Sequence, residues 1–422
     1  MFRKIICFLS LLFLFNTAWA QASKEEIFEK IEKTAGVYFA YPENEIVLKT
    51  KAPDGYKPFY ISHLGRHGSR YLISDDEYKS IINIFEEAQK KYNLTDLGKN
   101  VLGRLQLVWK EVEFRGGDLS PQGVREQRGI ALRMYQSYPE VFKKDSKMEA
   151  CATMVVRCVL SMDAFCERLK EFNPSLSITR NSGAKWQRYL NYHTEKAIAY
   201  RSAEDTWKPG YKQFEKEHVF PDRLIKSLFT TTSIFDNKTT PETIMWGLYG
   251  IASGMQNIET KVSFYDIFTK QELFDLWQCR NYKLYVNDGN YAGSGGIMMD
   301  NAKPLLKNII ENAESIINNN SSGADFRFAH DGNIIPLAML LHIKDSYNSI
   351  NSPADFYKTW ADFKVAPMAG NIQIVFFRKK KSKDILVKFL QNENEVLIPT
   401  IKSNRLPYYH WKDVLAFYKS LF

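Results

Sequence analysis

The chain has 422 residues with a formal net charge of +9 at pH 7, and 45% of its residues are hydrophobic. It contains no internal repeat and no low-complexity domain, which excludes repeat architectures, and it is longer than the ~100 to 150 residues of a typical domain. The positive charge suits nucleic acid, anionic lipid or a small polyanion as a partner, or simply a solvated basic surface, and does not choose among them.

The first residues have the layout of a secretory signal peptide. Arg3 and Lys4 are positively charged, Ile5 to Phe15 form an apolar run, and Ala18-Trp19-Ala20 offers small residues around a cleavage point. The apolar run is about half the ~20 residues that a spanning helix needs, which disfavours a retained anchor. We therefore expect cleavage near Ala20 and an exported protein, periplasmic or extracellular, whose net charge falls from +9 to +7 by the loss of the two basic residues. No later segment is apolar for long enough to span a bilayer.

The predicted elements alternate between strands and helices. Short aromatic or β-branched runs predict strands, and a charged turn between the last two indicates a hairpin: Lys57–Ser62, Met154–Val156, Asp325–Phe328, Asn371–Arg378 and Lys383–Leu390. Helical stretches lie between them at Glu77–Tyr92, Gly123–Tyr138, Val159–Phe172, Pro304–Asn318 and Ile334–Lys344. This alternation predicts an α/β fold, with helices packed on a sheet in an α/β/α sandwich.

The middle of the chain differs from the rest because it shows no clear strand. From about residue 172 to 300 the pattern is helical and loop-like, which predicts a mainly helical insertion. The α/β core is then expected at about 57–171 and 301–400, within a single domain at 21–422 that follows the signal peptide at 1–20.

Four cysteines remain after signal-peptide removal: Cys151, Cys158, Cys166 and Cys279. They allow three disulfide connectivities in an oxidising compartment, and free buried thiols are equally compatible. No C-x-x-C pair is present, which disfavours a zinc site.

The first cluster with chemical meaning is Arg66-His67-Gly68-Ser69-Arg70, which follows the first predicted strand. Ligands commonly bind at the carboxyl ends of strands in open α/β sheets. Arginine presents a planar fork suited to phosphate oxygens, and a neutral histidine can attack phosphorus. The alternative is a solvated basic turn.

Two further clusters also occur at predicted strand ends. In Phe328-Ala329-His330-Asp331-Gly332, His330 can donate to a phosphate oxygen while Asp331 protonates a leaving alcohol. The alternative is a strand-to-helix junction that Asp331 caps. Arg157 follows the predicted strand Met154–Val156 and supplies another cation, although a single arginine there is more often a surface residue.

Taken together, these clusters resemble the histidine acid phosphatases. That family shows R-H-G-x-R near the N-terminus, a strand-to-helix arginine and then H-D, in this order. Three further segments are similar to family elements: Gly117–Gly123, Thr153–Ser161 and Ala366–Asn371. The resemblance covers about Lys57 to Pro399 and is nearest to phytases and multiple inositol polyphosphate phosphatases, although the latter often carry H-A-E where this chain has H-D-G.

The resemblance implies a mechanism and a set of roles. His67 would be the nucleophile and Asp331 the proton donor, while Arg66, Arg70, Arg157 and His330 would bind the phosphate oxygens. The neighbouring cations would keep His67 neutral. No metal or other cofactor is implied, and the expected partner is a small phosphate ester rather than nucleic acid.

The substrate stays open at this level. Phytate or another inositol polyphosphate is the leading candidate, and a broad acid phosphatase acting on sugar phosphates, nucleotides or bisphosphoglycerate is the alternative. A non-catalytic protein that binds polyanions is a third possibility, which the intact His67 and Asp331 disfavour. Lys185, Arg188 and Lys196 lie in the predicted insertion and could contact additional phosphates, or they could form a solvated helix face.

Overall fold

The computed structural model describes residues 23–42, 49–231, 236 and 239–422. The predicted signal peptide lies outside these residues. The described chain forms an eight-stranded sheet whose strands are β1 (Tyr56–Arg66), β2 (Lys147–Ala152), β3 (Ile178–Ser182), β4 (Gly323–Ala329), β5 (Asn371–Lys379), β6 (Ile385–Gln391), β7 (Asn394–Val396) and β8 (Tyr408–His410).

The sheet has the order β3-β2-β4-β1-β5-β6-β7, and β8 pairs with β6. The strands β3, β2, β4 and β1 run parallel, so their carboxyl ends share one edge of the sheet. The strand β5 pairs antiparallel with β1, and the remaining strands continue antiparallel from it. The parallel half therefore offers the sheet edge at which ligands commonly bind.

Helices occupy the segments between the strands. They are α1 (Asp76–Lys90), α2 (Asp96–Val112), α3 (Pro121–Ser137), α4 (Val156–Phe172), α5 (Ala184–Leu190), α6 (Glu195–Ser202), α7 (Lys208–His218), α8 (Asp222–Leu228), α9 (Pro241–Gly254), α10 (Lys270–Asp288), α11 (Lys303–Asn318), α12 (Asp331–Leu340), α13 (Phe356–Thr359), α14 (Asp362–Val365) and α15 (Trp411–Lys419). A 3-10 segment at Ile31–Tyr38 precedes β1 and is kinked at Gly36.

Both faces of the sheet are buried. Side chains alternate between faces along a strand, so in β5 Ile374 and Phe376 join one core while Val375 and Phe377 join the other. Helices α3 and α4 cover the second face, and α11, α12 and α15 cover the first together with the larger helical part. The predicted α/β/α sandwich is confirmed.

Four of the five predicted strands are present, and the prediction of a strand at Met154–Val156 is wrong. Met154 and Val156 are 60% and 67% exposed, and α4 already begins at Val156. The strand in this region is β2, which lies between β3 and β4 and ends at Ala152. The apolar run looked like a buried strand, whereas the strand that forms carries Lys147 and Glu149 and lacks β-branched residues.

The expectation that 172–300 contains no strand is also wrong at its beginning. The strand β3 (Ile178–Ser182) pairs with β2 through a parallel register that joins Met148 to Ile178 and Ala152 to Ser182. Its residues are mostly polar and half-exposed, because it forms one edge of the sheet. After β3, the described residues up to 300 are helical or irregular.

All four cysteines that follow the predicted signal peptide are free and buried. Burial raises the pKa of Cys158 to about 11 and that of Cys151 to about 11, so both are neutral thiols near neutral pH. No helix among the described residues is both long and apolar enough to cross a membrane.

Candidate active site

Three adjacent parallel strands end at the candidate site. The central strand β4 leads into His330, while β1 leads into His67 on one side and β2 leads into Thr153 on the other. The register joins Arg66 to Ala329, so the imidazole rings of His67 and His330 lie 5.6 Å apart between centroids. Two motifs more than 260 residues apart in sequence (67 and 330) therefore meet at one sheet edge.

The loop that carries His67, residues Arg66–Arg70, is fixed by buried hydrogen bonds; we call it the His67 loop. The Gly68 amide donates to Ser161 Oγ at 3.1 Å, and the Ser69 amide donates to Glu126 Oε2 at 2.7 Å. Ser69 Oγ also lies within hydrogen-bond distance of Glu126 Oε1, at 2.7 Å, and of Asn257 Oδ1, at 2.8 Å. The last residue of the Thr153–Ser161 segment, Ser161, therefore has a structural role, because it accepts a hydrogen bond from this loop.

Two glycines let the His67 loop approach helix α3. A Cβ atom on Gly68 would lie 2.4 Å from the Gly123 carbonyl oxygen, and one on Gly123 would lie 2.2 Å from the Ser69 carbonyl oxygen. Real Cβ atoms do not approach backbone so closely, so both positions require glycine. The Gly117–Gly123 segment recognised in the sequence thus serves as the surface on which the loop rests.

His67 is buried and presents one free ring nitrogen. Its Nδ1 lies 2.8 Å from the Gly68 carbonyl oxygen, which can only accept, so Nδ1 carries the proton and Nε2 keeps a lone pair. Burial lowers the pKa of His67 well below its ordinary value, and the charges of Arg66, Arg157 and Arg70 lower it further. The imidazole is therefore neutral at mildly acidic pH, as a nucleophile must be.

Arg66 and Arg70 are held by groups from other parts of the chain. Arg66 donates through Nη1 to the carbonyl oxygens of Val37 and Ala366, and its Nη2 lies 3.1 Å from Asp331 Oδ2. Arg70 donates to the Tyr71 carbonyl oxygen at 2.7 Å and to the Tyr38 hydroxyl at 2.9 Å. The two guanidinium groups are buried, at 1% and 5% exposure, and are thus fixed in direction.

Arg157 completes a set of three cations around His67. It is the second residue of α4 rather than the residue after a strand, and its Nη1 lies 3.4 Å from the Gly117 carbonyl oxygen. In each of Arg66, Arg70 and Arg157 the Nε–H is buried without a hydrogen-bond acceptor among the described residues. The charges of all three guanidinium groups act on the His67 imidazole, and three cations around one neutral ring indicate a site built for an anion.

His330 and Asp331 stand at the start of helix α12. Burial lowers the pKa of His330 to about 4 despite the opposing charge of Asp331, and its Nε2 lies 3.3 Å from Thr153 Oγ1. Burial alone would raise the pKa of Asp331, but Arg66 and His330 hold it below its ordinary value. At the start of the helix, Asn333 accepts from the His330 amide at 3.2 Å, and Asp331 Oδ1 accepts from the Gly332 amide at 2.9 Å. The other carboxylate oxygen of Asp331, Oδ2, faces Arg66.

The structure brings together all six residues predicted for the site: His67, Asp331, Arg66, Arg70, Arg157 and His330. Their roles in catalysis remain predictions. The cations Lys185, Arg188 and Lys196 are exposed, and the described residues form no ion pair with them. Helix α5, which carries the first two, nevertheless ends beside the site, because the Leu190 carbonyl oxygen accepts from Asn333 at 2.9 Å.

Sequence reasoning missed two residues that hold the site. Tyr38 lies under the Arg70 guanidinium at 4.8 Å from the ring centroid and accepts its hydrogen bond. Glu126 accepts from the His67 loop and from the Tyr41 amide, and burial raises its pKa to about 7. Glu126 lies three residues after the Gly117–Gly123 segment, and this proximity was the only indication in the sequence that Glu126 belongs to the site. Tyr38 precedes every recognised motif.

The described residues contain no group of three or more histidine, cysteine, aspartate or glutamate side chains arranged to hold a metal ion. The candidate site instead combines a neutral imidazole, three guanidinium groups, a second histidine and one carboxylate. Such a set can bind a phosphate group, attack it and protonate its leaving group.

A family model described as the histidine phosphatase superfamily (branch 2) matches residues 61–392. No curated protein sequence matches the chain. Among solved structures, the multiple inositol polyphosphate phosphatase of Bifidobacterium longum in complex with inositol hexasulfate matches with a TM-score of 0.75 and 19% identity, covering 90% of this chain and 96% of that one. The D. castellii phytase matches with a TM-score of 0.62 and 15% identity, covering 92% and 85%. The Hafnia alvei phytase in complex with tartrate matches with a TM-score of 0.52 and 13% identity, covering 87% and 98%.

Proposed function

This chain belongs to branch 2 of the histidine phosphatase superfamily, and from that premise we propose that it is an exported phosphomonoesterase that acts through a phosphohistidine intermediate. The observation that carries the proposal is the set of three guanidinium groups, Arg66, Arg70 and Arg157, around a neutral His67. They supply donors for a bound phosphate and leave Nε2 of the imidazole free to attack it.

In the first step, His67 Nε2 attacks phosphorus and the bond from phosphorus to the ester oxygen breaks. Asp331 gives its proton to that oxygen, which leaves as an alcohol. Arg66, Arg70, Arg157 and His330 hold the other phosphate oxygens. In the second step, water attacks phosphorus, the bond to Nε2 breaks, and the ionised Asp331 accepts the water proton. The products are an alcohol and inorganic phosphate, and the enzyme is regenerated.

The ion pair between Arg66 and Asp331 bears directly on the first step. Without a ligand, Arg66 keeps the pKa of Asp331 low, which is unfavourable for a proton donor. A bound phosphate brings negative charge next to the same guanidinium and next to the carboxylate. Both effects favour the protonated acid, so we propose that substrate binding itself raises the pKa of Asp331.

The phosphohistidine is tested by rapid alkaline-quench labelling with radioactive phosphate ester. Wild type should retain acid-labile, alkali-stable label, and His67→Ala should lose both the label and nearly all turnover while remaining folded. His410→Gln is the matched control, because His410 pairs with Asp384 at the other end of the sheet and should behave as wild type. Turnover near the wild-type rate in His67→Ala would end the proposal.

For the substrate, we propose phytate or another inositol polyphosphate. The support is the concentration of cations in the site and the likeness to structures of an inositol polyphosphate phosphatase and of phytases. Interactions between exposed charges are screened over ~8 Å at physiological ionic strength. The kcat/KM for phytate should therefore exceed that for p-nitrophenyl phosphate and fall more steeply with salt.

Charge reversal tests whether helices α5 and α6 contribute to the binding of phytate. Lys185→Glu, Arg188→Glu and Lys196→Glu should each reduce kcat/KM for phytate more than for p-nitrophenyl phosphate. Glu substitution at the exposed Lys99 of helix α2 is the control for net charge. Equal efficiency on both substrates with the same salt dependence would instead favour the broad acid phosphatase.

A further inference from the structure

A second concentration of positive charge lies at the opposite end of the sheet from the candidate active site. The beginning of β1 and the turn between β5 and β6 line a groove of about 870 Å³. Its basic residues are Lys57, Arg378, Lys379, Lys380, Lys381 and Lys383, which we call the basic groove. No acidic residue lines it among the described residues.

The lysines of the basic groove are exposed and uncompensated. All five have exposed side chains, and none forms an ion pair with a described carboxylate. Asp384 follows Lys383 in sequence, but its two oxygens contact His410 at 2.8 Å and the Tyr56 hydroxyl at 2.6 Å. Like charges held close together repel one another, so an anionic partner is the simplest means of offsetting this cost.

We propose that the basic groove docks the protein on an anionic lipid surface. Clusters of four to eight basic residues are typical of attraction to anionic headgroups. Lysine suits this partner because its ammonium group is a point charge on a flexible stem and requires no fixed geometry. Lys380 and Lys381 lie in the turn that follows β5, and both are exposed, so a partner surface can reach them.

The described residues of the groove offer little for the recognition of bases, although lysines can also bind nucleic acid phosphates. Its one arginine, Arg378, already donates to the carbonyl oxygens of Asn320 and Ser321. The two neighbouring aromatic rings are covered, since Arg378 lies over Phe59 at 4.6 Å and Lys379 over Tyr56 at 5.9 Å. The described residues that line the groove therefore present no uncovered aromatic ring on which bases could stack.

The placement also has a consequence for orientation. The strand β1 runs for 11 residues from the basic groove to Arg66, which at ~3.3 Å per residue separates the two regions by roughly 35 Å. A protein docked through the groove would therefore hold its candidate active site away from the lipid surface and open to small solutes.

Co-sedimentation with vesicles tests the docking. Wild type should sediment with phosphatidylcholine vesicles that contain phosphatidylglycerol, should not sediment with phosphatidylcholine alone, and should be released by high salt. The triple variant Lys380→Glu/Lys381→Glu/Lys383→Glu should bind at least about 100-fold more weakly. Its hydrolysis of p-nitrophenyl phosphate should equal that of wild type, which shows that fold and candidate active site are intact.

The control variant Lys91→Glu/Lys110→Glu/Lys144→Glu changes the net charge equally at exposed lysines elsewhere. It should retain most of the vesicle binding. Equal losses in both triple variants, or equal binding to vesicles without phosphatidylglycerol, would overturn the proposal. Displacement by inorganic phosphate would indicate a soluble ligand instead, and stronger binding to an oligonucleotide than to vesicles would indicate nucleic acid. Either result would also overturn it.

Discussion

At the scale of single residues, the charges of the candidate site control one another's protonation. Burial lowers the pKa of both His67 and His330, and the three guanidinium groups act in the same direction. Burial raises the pKa of Asp331, but Arg66, His330 and Arg70 lower it to below its ordinary value. A single set of cations therefore favours a neutral nucleophile and, without substrate, an ionised carboxylate.

The role of Asp331 is tested by leaving groups of different quality. In Asp331→Asn, hydrolysis of an alkyl phosphate should fall by ~100 to 10,000-fold, because an alkoxide leaves poorly without a proton. Hydrolysis of p-nitrophenyl phosphate should fall much less, because p-nitrophenolate leaves unaided. Steady-state kcat on the two substrates gives the comparison. A similar loss on both would assign Asp331 another task, such as orienting His330.

His63 gives a prediction about stability and pH. It is buried among Phe165, Phe326 and Phe328, and both ring nitrogens lack a partner among the described residues. Burial lowers its pKa to about 3 from 6.5. Below pH 6.5, His63 therefore binds a proton in the unfolded chain but not in the folded chain. The free energy of unfolding should decrease as the pH decreases.

His63→Phe removes this proton and should gain stability relative to wild type as pH falls below 6.5, by ~1.4 kcal/mol per pH unit. Urea unfolding at several pH values measures the difference. His218→Phe serves as the control, because its ring is only partly buried. A constant difference between His63→Phe and wild type across pH would contradict the assignment.

At the scale of elements, the His67 loop is held by three separate parts of the chain. Helix α3 supplies Glu126 and the backbone of Gly123, helix α4 supplies Ser161, and the N-terminal segment supplies Tyr38. That segment is anchored in turn by Asp362, whose carboxylate accepts from the Val37 amide at 3.1 Å. Such bracing keeps the donors aimed without a ligand, which is the basis of electrostatic preorganisation.

Two glycine substitutions test whether the close contact between the His67 loop and α3 is required, one at the contact and one at a control position. Gly68→Ala places a Cβ atom 2.4 Å from the Gly123 backbone, so it should lower stability by ~1 to 3 kcal/mol and reduce kcat. Gly103→Ala lies on an exposed position of helix α2 with no atom within 4 Å, and should raise stability by ~0.4 to 1 kcal/mol. Thermal unfolding and turnover of both variants provide the test. Normal activity in a stable Gly68→Ala would show that the loop can move away from α3.

At the scale of the whole molecule, two concentrations of positive charge lie at opposite ends of the sheet. The carboxyl ends of the parallel strands carry the candidate active site, and the opposite end carries the basic groove. The helical part that follows β3 reaches the first end through α5 and Asn333.

Because arginines surround the phosphate position, catalysis by the whole protein should not require a metal ion. Activity on p-nitrophenyl phosphate should survive exhaustive treatment with EDTA followed by gel filtration. The physical reason is that guanidinium groups supply the positive charge that magnesium or zinc supplies elsewhere. A loss of activity that added zinc or magnesium restores would point to a different phosphatase mechanism.

The sequence by itself determined the α/β class, the order of the motifs and the six residues of the candidate site. The α/β class follows from local patterns, because strand periodicity is readable over a few positions. The six site residues follow from the resemblance of their ordered motifs to the histidine acid phosphatases, since each motif alone left a structural alternative open. It also indicated a neutral His67, since three arginines occur in motifs expected at one sheet edge.

Only the tertiary structure decided the features that depend on which elements become neighbours. Met154–Val156 is exposed although it is apolar, because β2 takes the place between β3 and β4. Tyr38 and Glu126 join the site through contacts between segments distant in sequence. The four described cysteines are free and buried, which the sequence left open. Burial and pairing are properties of non-local packing, and a local pattern of residues does not contain them.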